Sequence, residues 1–246
     1  MLAQDSLGKG ALSRPCPPVG TPANYAGAGR QPLGICIHRK NDMTIFLLRH
    51  GEKAEGDYHN PILKHQDPPL SEKGRQQAKA VASYLAQTPI SSIYISSYIR
   101  TLQTAQPIAE MKYIRPIEDP RLNEIDNGFI DEMNEQEFEK AYPEIWKQYS
   151  ARTADFRFPG GETGQEVRSR ISEFLEEKLK LHGKDNILLV SHDGLIRVCM
   201  TYMLDLPVYK RGDFKIDLCG MTQVDYQYDV NRWKLSAFNR NVAQSG

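Results

Sequence analysis

The chain has 246 residues, of which 40% are hydrophobic and 25% are charged, the composition of an ordinary soluble globular protein. Lysine plus arginine and aspartate plus glutamate both total 31, so the net charge gives no reason to expect a nucleic-acid or membrane partner. No apolar run approaches the ~20 residues that a membrane-spanning helix needs, and no apolar segment near the N-terminus is typical of a secretory signal.

The first 42 residues differ from the rest of the chain. They are rich in proline, glycine and alanine and show no hydrophobic periodicity, which predicts a disordered leader. Basic residues outnumber acidic ones here, as in an organelle transit peptide, but no arginine-rich amphipathic stripe is visible. We therefore favour an unstructured leader, or an effective start at Met43, over a targeting segment. Residues 43–246 are expected to form a single domain.

The four cysteines form no C-x-x-C pair and no spacing typical of zinc ligands. This pattern favours a reduced intracellular protein, and the cytoplasm is the expected location. Cys199 lies in a helical pattern and Cys219 just before a predicted strand. Both are expected to be small core residues.

From Met43 onward, strand-like and helix-like segments alternate. Thr163 and Glu166 form a capping box that predicts the start of one helix, and Pro143 is expected to break another. Such alternation predicts one α/β domain with a mostly parallel sheet and helices on both faces, closed by an antiparallel hairpin around residues 229–231. The predicted strands are 44–48, 91–96, 113–118 and 186–191; the predicted helices are 71–87, 100–111, 134–150, 163–182 and 195–204.

Unusual polar residues follow these predicted strands. Arg49 and His50 come directly after the first, Arg100 opens the helix after the second, and His192 follows the fourth. Glu124 lies in a loop downstream of the third. Ligands of a parallel sheet bind beyond the carboxyl ends of its strands, so we expect these five side chains to meet on one rim.

These residue types fit the chemistry of phosphoryl transfer. The guanidinium groups of Arg49 and Arg100 can each donate paired hydrogen bonds to a phosphate. Neighbouring cations lower the pKa of a histidine such as His50, so one ring nitrogen stays unprotonated and nucleophilic. A carboxylic acid beside a phosphate dianion has a raised pKa, and Glu124 could therefore donate a proton to the leaving oxygen. None of these steps requires a metal.

Six sequence segments resemble those of the histidine phosphatase superfamily, the phosphoglycerate mutase-like group. They occur in the family's order and span essentially residues 43–240. A single R-H-G would be weak evidence, whereas six segments in register are specific. The segments are LLRHGEK, DPPLSEKGRQQA, ISSIYISSYIRTLQTA, RLNEID, FPGGETGQEVRSRI and LLVSHDGLIR.

The resemblance implies a three-layer α/β/α sandwich that needs no metal and no organic cofactor. It implies that His50 becomes the phosphohistidine and that Arg49 and Arg100 bind the phosphate. His192 would complete the phosphate pocket, and Glu124 would be the general acid. All five are expected to be catalytic, and all but Glu124 to contact phosphate.

The chain departs from the family's pattern in two places, and the second departure favours the phosphatase branch. Where the mutase and fructose-bisphosphatase branches carry an asparagine six residues after the nucleophile, this chain has Gly56, inside an unusually long loop at residues 52–69. Residues 126–160 are also shorter than the corresponding insertion of the mutases. We therefore predict a phosphomonoesterase acting on a small phosphorylated substrate; a phosphomutase and a non-catalytic adaptor on the same fold remain alternatives. The oligomeric state, monomer or homodimer, stays open.

Several other charged residues have two interpretations. Glu162 could orient the site or serve the start of the helix that follows it. Lys53, Arg152 and Arg157 could bind a second anionic group of the substrate or be solvated surface residues. His59, His65 and His182 are expected on the surface. A metal site built from His50, His59, His192 and Asp193 is conceivable, but adjacent arginines would repel a cation.

Overall fold

Three of the four predicted apolar runs form buried strands in the computed structural model, which describes residues 42–131 and 133–241. The run at 113–118 forms only a two-residue strand, and both of its residues are exposed because it lies at the edge of the sheet. Pro116 has no N–H to donate and limits pairing there. The strands are β1 (Asp42–Arg49), β2 (His59–Asn60), β3 (His65–Gln66), β4 (Ser92–Ile95), β5 (Ile117–Glu118), β6 (Asn186–Ser191), β7 (Gly220–Gln227) and β8 (Arg232–Asn241).

Six of these strands form one sheet, in the order β5-β4-β6-β1-β7-β8, and β2 pairs with β3 in a separate hairpin. The strands β5, β4, β6 and β1 run parallel to one another, whereas β7 is antiparallel to both β1 and β8. The predicted parallel sheet with a C-terminal antiparallel hairpin is therefore confirmed. Arg49 pairs with Ser191, so the carboxyl ends of β1 and β6 lie side by side.

The helices begin and end close to the predicted bounds because their caps are local. Thr163 and Glu166 form the expected capping box, and the predicted break occurs at Pro143. Ser71 accepts a hydrogen bond from the Gly74 N–H and caps the first helix. The helices are α1 (Glu72–Tyr84), α2 (Ile99–Lys112), α3 (Glu135–Ala141), α4 (Pro143–Ala151), α5 (Gly164–His182) and α6 (Asp193–Met203).

The sheet has a hydrophobic core on each face, since alternate side chains of β1 point to opposite sides. Ile45 and Leu47 belong to the core beneath α5 and α6, and Phe46 and Leu48 to the core beneath α1 and α2. Each fully buried side chain of this size contributes about 1.5–3 kcal/mol. Two covered faces give the three layers of an α/β/α sandwich. Cys199 and Cys219 are both buried, as expected, one in each core.

The predicted leader lies outside the described residues, except that Asp42 is the first residue of β1. The described residues all fall within one compact unit. Among the helices of this described part, none combines the length and the apolarity needed to cross a bilayer.

Candidate active site

The five predicted side chains lie together at the carboxyl ends of the parallel strands. Arg49, His50, Arg100 and Glu124 line one cleft of about 610 Å³. His192 is fully buried next to it, with its ring centroid 5.2 Å from that of His50. The structure thus brings all five together, because β4, β6 and β1 are neighbours in the sheet and their following residues share one rim.

His50 presents an unprotonated nitrogen to this cleft. Its Nδ1 lies 2.8 Å from the carbonyl oxygen of Gly51. A carbonyl can only accept, so Nδ1 carries the hydrogen and Nε2 of the neutral ring keeps its lone pair. Burial, and after it the positive charge of Arg100, lowers the pKa of His50 to about 3. The ring is therefore neutral at pH 7.

His192 has the opposite tautomer. Its Nδ1 lies 3.2 Å from Nη2 of Arg100, and a guanidinium can only donate, so Nδ1 accepts. The Nε2 hydrogen is then donated to Oγ of Ser96, 2.8 Å away at the end of β4. Burial, followed by the Arg100 charge, holds the pKa of His192 well below its usual value. The positioning role of Ser96 was not predicted, although its place after β4 was the available signal.

The two arginines leave buried donors without partners. Arg49 donates from Nη1 to the Ile216 carbonyl at 2.6 Å, and its Nε has no hydrogen-bond partner in the described part of the chain. The same holds for Nε and Nη1 of Arg100, although Asp67 lies 3.6 Å from Nη1 as an ion-pair partner. A buried donor left unsatisfied costs about 1–3 kcal/mol. An oxyanion in the cleft would satisfy these groups with charge-assisted bonds.

Glu124 is held by backbone N–H groups. Its Oε1 accepts from Ile125 and Leu195, both at 2.9 Å, and its Oε2 accepts from Gly194 at 3.1 Å. A carboxylate oxygen can accept two hydrogen bonds, so Oε2 has one position left for a proton. The three N–H donors favour the charged form, but burial is the larger effect and raises the pKa of Glu124. This carboxyl group can therefore carry a proton at Oε2.

The segment that carries Glu124 is fixed by Arg170 of α5. Its guanidinium forms two hydrogen bonds of 3.0 Å with the carboxylate of Glu162. Glu162 is thus linked through Arg170 to the segment that carries Glu124, as one of the two interpretations of the sequence expects. Arg170 was not predicted, because it is separated by 46 residues from Glu124 and no local pattern reports such a contact. Its other acceptors are the carbonyl oxygens of Arg121, Asn123 and Glu124, at 2.7, 3.0 and 3.2 Å.

The backbone after His50 packs directly against the start of α1. A Cβ atom on Gly51 would lie 2.8 Å from the carbonyl oxygen of Gly74. A Cβ atom on Gly74 would lie 2.1 Å from the carbonyl oxygen of Glu52. Both distances are too short for any side chain. The two glycines therefore permit a backbone contact that fixes the position of His50.

The long loop predicted at residues 52–69 contains the hairpin β2–β3, and this hairpin lies over the cleft. His65 lines the cleft, with its Nε2 3.7 Å from Asp126 and its Nδ1 3.8 Å from Asp131. His65, which was expected on the surface, is partly buried, because the hairpin turns it toward the 126–131 segment. Gly56, which stands where related branches have asparagine, also lines the cleft.

The two other histidines expected on the surface, His59 and His182, differ in their exposure. His59 is exposed. His182 is only partly exposed, because its Nε2 lies 2.7 Å from the Tyr94 hydroxyl at the end of α5. Within residues 42–131 and 133–241, no group of three or more histidine, cysteine, aspartate or glutamate residues is arranged to hold a metal ion.

Comparisons with known proteins give the family and the fold of this chain. A sequence profile described as "Histidine phosphatase superfamily (branch 1)" matches residues 45–241. The chain is 35% identical to phosphoserine phosphatase 1 of Hydrogenobacter thermophilus, over 71% of this chain and 82% of that protein. It is 33% identical to a protein of Serratia proteamaculans named "Probable phosphoglycerate mutase GpmB", over 75% of this chain and 86% of that protein.

Solved structures share the fold. A mycobacterial glucosyl-3-phosphoglycerate phosphatase in complex with inorganic phosphate superimposes with a TM-score of 0.71 at 24% identity, covering 82% of this chain and 99% of that chain. The alpha-ribazole phosphatase of Shigella flexneri gives 0.67 at 20% identity, covering 80% and 96%. The expected α/β fold and the expected enzyme class, phosphoric monoester hydrolases, are confirmed. The chain belongs to branch 1 of the histidine phosphatase superfamily.

Proposed function

We propose that this enzyme hydrolyses small phosphomonoesters through a phosphohistidine intermediate at His50, without a metal ion. The observation that carries the proposal is the combination of a neutral His50, whose Nε2 lone pair is free, with unpaired buried donors on Arg49 and Arg100 in the same cleft. A nucleophile and an oxyanion pocket in one place are what phosphoryl transfer to histidine needs.

In the first half-reaction the phosphoryl group of the substrate lies between Arg49 and Arg100. Nε2 of His50 attacks phosphorus, an N–P bond forms, and the P–O bond to the alcohol breaks. The proton on Oε2 of Glu124 goes to the departing oxygen, which leaves as a neutral alcohol. The phosphorylated ring is cationic, so its Nδ1–H bond to the Gly51 carbonyl becomes charge-assisted and stabilises the intermediate.

In the second half-reaction water replaces the alcohol. The Glu124 carboxylate takes a proton from the water while the water oxygen attacks phosphorus. The N–P bond breaks, and its electron pair returns to Nε2 of His50. Inorganic phosphate then leaves and Glu124 is protonated again. His192 is neutral throughout, since burial and Arg100 hold its pKa low. It keeps Arg100 in place by accepting from Nη2.

The solved structures described above are named as phosphatases, whereas the curated relatives carry both phosphatase and mutase names. Phosphoserine phosphatase 1 is the more similar of the two curated relatives described above. The alternative of a mutase is represented by the proteins named as probable phosphoglycerate mutases. The short segment at 126–160 favours access of water to the phosphorylated histidine and therefore hydrolysis.

The test is chemical trapping of the intermediate. The protein, freed of metals with a chelator, is incubated with a ³²P-labelled phosphomonoester and quenched with alkali. We expect acid-labile phosphate on the wild-type protein and none on His50→Ala, which should also lose turnover. His59→Ala is the matched control, because His59 is exposed on the hairpin, and it should keep both properties.

Three results would contradict the proposal. Turnover retained by His50→Ala excludes His50 as the nucleophile. A positional isomer of the substrate, in place of inorganic phosphate, identifies a mutase. Absence of turnover and of labelling across diverse phosphoesters, with the pocket intact, identifies a non-catalytic protein.

A further inference from the structure

A second cavity, of about 200 Å³, lies beside the active-site cleft and is not used by the mechanism above. The two spaces share three lining residues, Glu124, Ile125 and Asn127. The rest of the wall of the second cavity comes from the end of α4, the segment that follows α4, the start of α6, and the 3₁₀ turn Val208–Asp213. Glu124, which would protonate the leaving alcohol, therefore stands between the two spaces.

Three arginines line this second cavity, and two of them have acidic partners. Arg197 pairs with Asp193 at 2.7 Å, and Arg211 pairs with Asp155 at 2.8 Å. These pairs are partly buried and leave little net charge. The third, Arg152, is the arginine of this lining for which the described residues provide no acidic partner.

Arg152 has no carboxylate partner in the part of the chain that the structure describes. Its Nη1 donates to the backbone carbonyl of Gly212 at 3.0 Å. It also ends α4 in the left-handed conformation, with φ of 51°, which turns its side chain toward the Val208–Asp213 turn. A Cβ atom on Gly212 would lie 3.1 Å from Nε, so the guanidinium packs against that turn. Arg152 is thus an exposed but positioned cation, with no counterion among the residues that the structure describes.

The structure separates the three basic residues that the sequence left as candidates for a second anionic group. Lys53 lines the main cleft. Arg157 pairs with Glu166 and lines neither space. Arg152 lines the second cavity. The chain therefore offers a candidate residue, Arg152, and a matched control, Arg157, only five positions apart.

We propose that the second cavity is a specificity subsite, in which Arg152 binds an anionic group carried by the leaving alcohol. This rests on the proposed function, because the leaving oxygen must lie at Glu124. From there the alcohol can extend past Glu124 and Ile125 into the second cavity. The volume admits a group of a few heavy atoms, such as a carboxylate or a second phosphate. The preferred substrates are then phosphomonoesters of alcohols that carry a second negative charge.

The experiment compares kcat/KM for four substrates: a phosphorylated hydroxy acid, its neutral amide, a bisphosphate of similar length, and p-nitrophenyl phosphate. We expect the wild-type enzyme to prefer an anionic substrate over the amide by about tenfold, as for one charge-assisted hydrogen bond. The two anionic substrates show whether the group is a carboxylate or a phosphate. Arg152→Gln should remove the preference through KM and leave turnover of p-nitrophenyl phosphate unchanged, whereas Arg157→Gln should keep it.

Several outcomes overturn the subsite. A preference that persists in Arg152→Gln, or one that is removed by Lys53→Gln alone, places the anionic group elsewhere. Equal rates for the amide and the anionic substrates in the wild-type enzyme, with p-nitrophenyl phosphate hydrolysed, refute the subsite alone. A wild-type enzyme that hydrolyses no phosphomonoester refutes the proposed function instead. Circular dichroism of each variant verifies that the fold is retained.

Discussion

The hydrogen bonds of Arg170 lead to a prediction that separates positioning from stability. Replacement by alanine removes all five hydrogen bonds that its guanidinium makes, two to Glu162 and three to backbone carbonyls of the segment carrying Glu124. We expect Arg170→Ala to fold, to bind substrate normally, and to lose most of its turnover. Binding is retained because Arg49 and Arg100 do not depend on Arg170.

The magnitude follows from burial. The side chains of Arg170 and Glu162 are 19% and 25% exposed, so water replaces part of what is lost. Breaking a buried pair costs about 3–5 kcal/mol, and the partial exposure places this case at the lower end, about 3 kcal/mol. For a domain of this size that lowers the melting temperature by about 6–12 °C. A displacement of Glu124 by ~1 Å lowers kcat by about 100-fold.

The assay compares leaving groups, at a temperature far below the melting temperature of the variant. An alkyl phosphate needs a proton from Glu124 to leave, whereas p-nitrophenolate leaves without one. The quantity to compare is kcat/KM, which reports formation of the phosphohistidine, because Glu124 also assists the second half-reaction and that step is the same for both substrates. Arg170→Ala should therefore lose about 100-fold in kcat/KM for the alkyl phosphate and only a few-fold for p-nitrophenyl phosphate. A merely structural role would lower both rates equally.

Arg168 provides the control on the same helix. It donates to the Leu206 carbonyl at 2.6 Å and contacts no part of the Glu124 segment. Arg168→Ala should lose stability without any selectivity between leaving groups. Equal losses of kcat/KM for both substrates in Arg170→Ala, or a selective loss in Arg168→Ala, would refute the positioning role.

Two further predictions concern pH and phosphate. Because the pKa of His50 and that of His192 lie below the usual 6.5, the unfolded chain takes up protons on acidification before the folded one does. The free energy of unfolding should therefore fall as pH drops from 6.5 toward 4, by up to about 1.4 kcal/mol per pH unit for each histidine. Urea titrations at several pH values should show that the free energy of unfolding of His50→Gln depends less steeply on pH than that of the wild-type protein. Inorganic phosphate should raise the melting temperature of the wild-type protein in calorimetry, since it satisfies the unpaired donors. Arg100→Gln should abolish this effect, and unchanged protection in that variant would exclude Arg100 from phosphate binding.

The sequence predicts well those parts of this molecule that depend on neighbouring residues. The strands β1, β4 and β6 are short apolar runs, and the capping box of Thr163 and Glu166 lies within four residues. The convergence of Arg49, His50 and His192 also follows from local information, because parallel strands end on the same rim. The family resemblance then adds roles to these positions.

What the sequence did not predict depends on contacts between distant segments. Arg170 and Glu124, which share a hydrogen bond, are 46 residues apart in the sequence, and His65 and Asp126, which face each other, are 61 residues apart. The length of β5 was overestimated, because an apolar run in the sequence does not indicate that its strand lies at a sheet edge. That Arg152 lines the second cavity likewise depends on a distant contact, its hydrogen bond to the Gly212 carbonyl 60 residues away.

The contact between Gly51 and Gly74 bears on how variants of this chain should be interpreted. Position 74 lies on α1 and bears no group that could react, so a substitution there would ordinarily be classed as a harmless helix change. Yet any larger residue would push the carbonyl of Glu52 and displace His50 with it. Libraries and sequence surveys should therefore treat positions 51 and 74 as one unit, in which a change at either alters the alignment of the nucleophile.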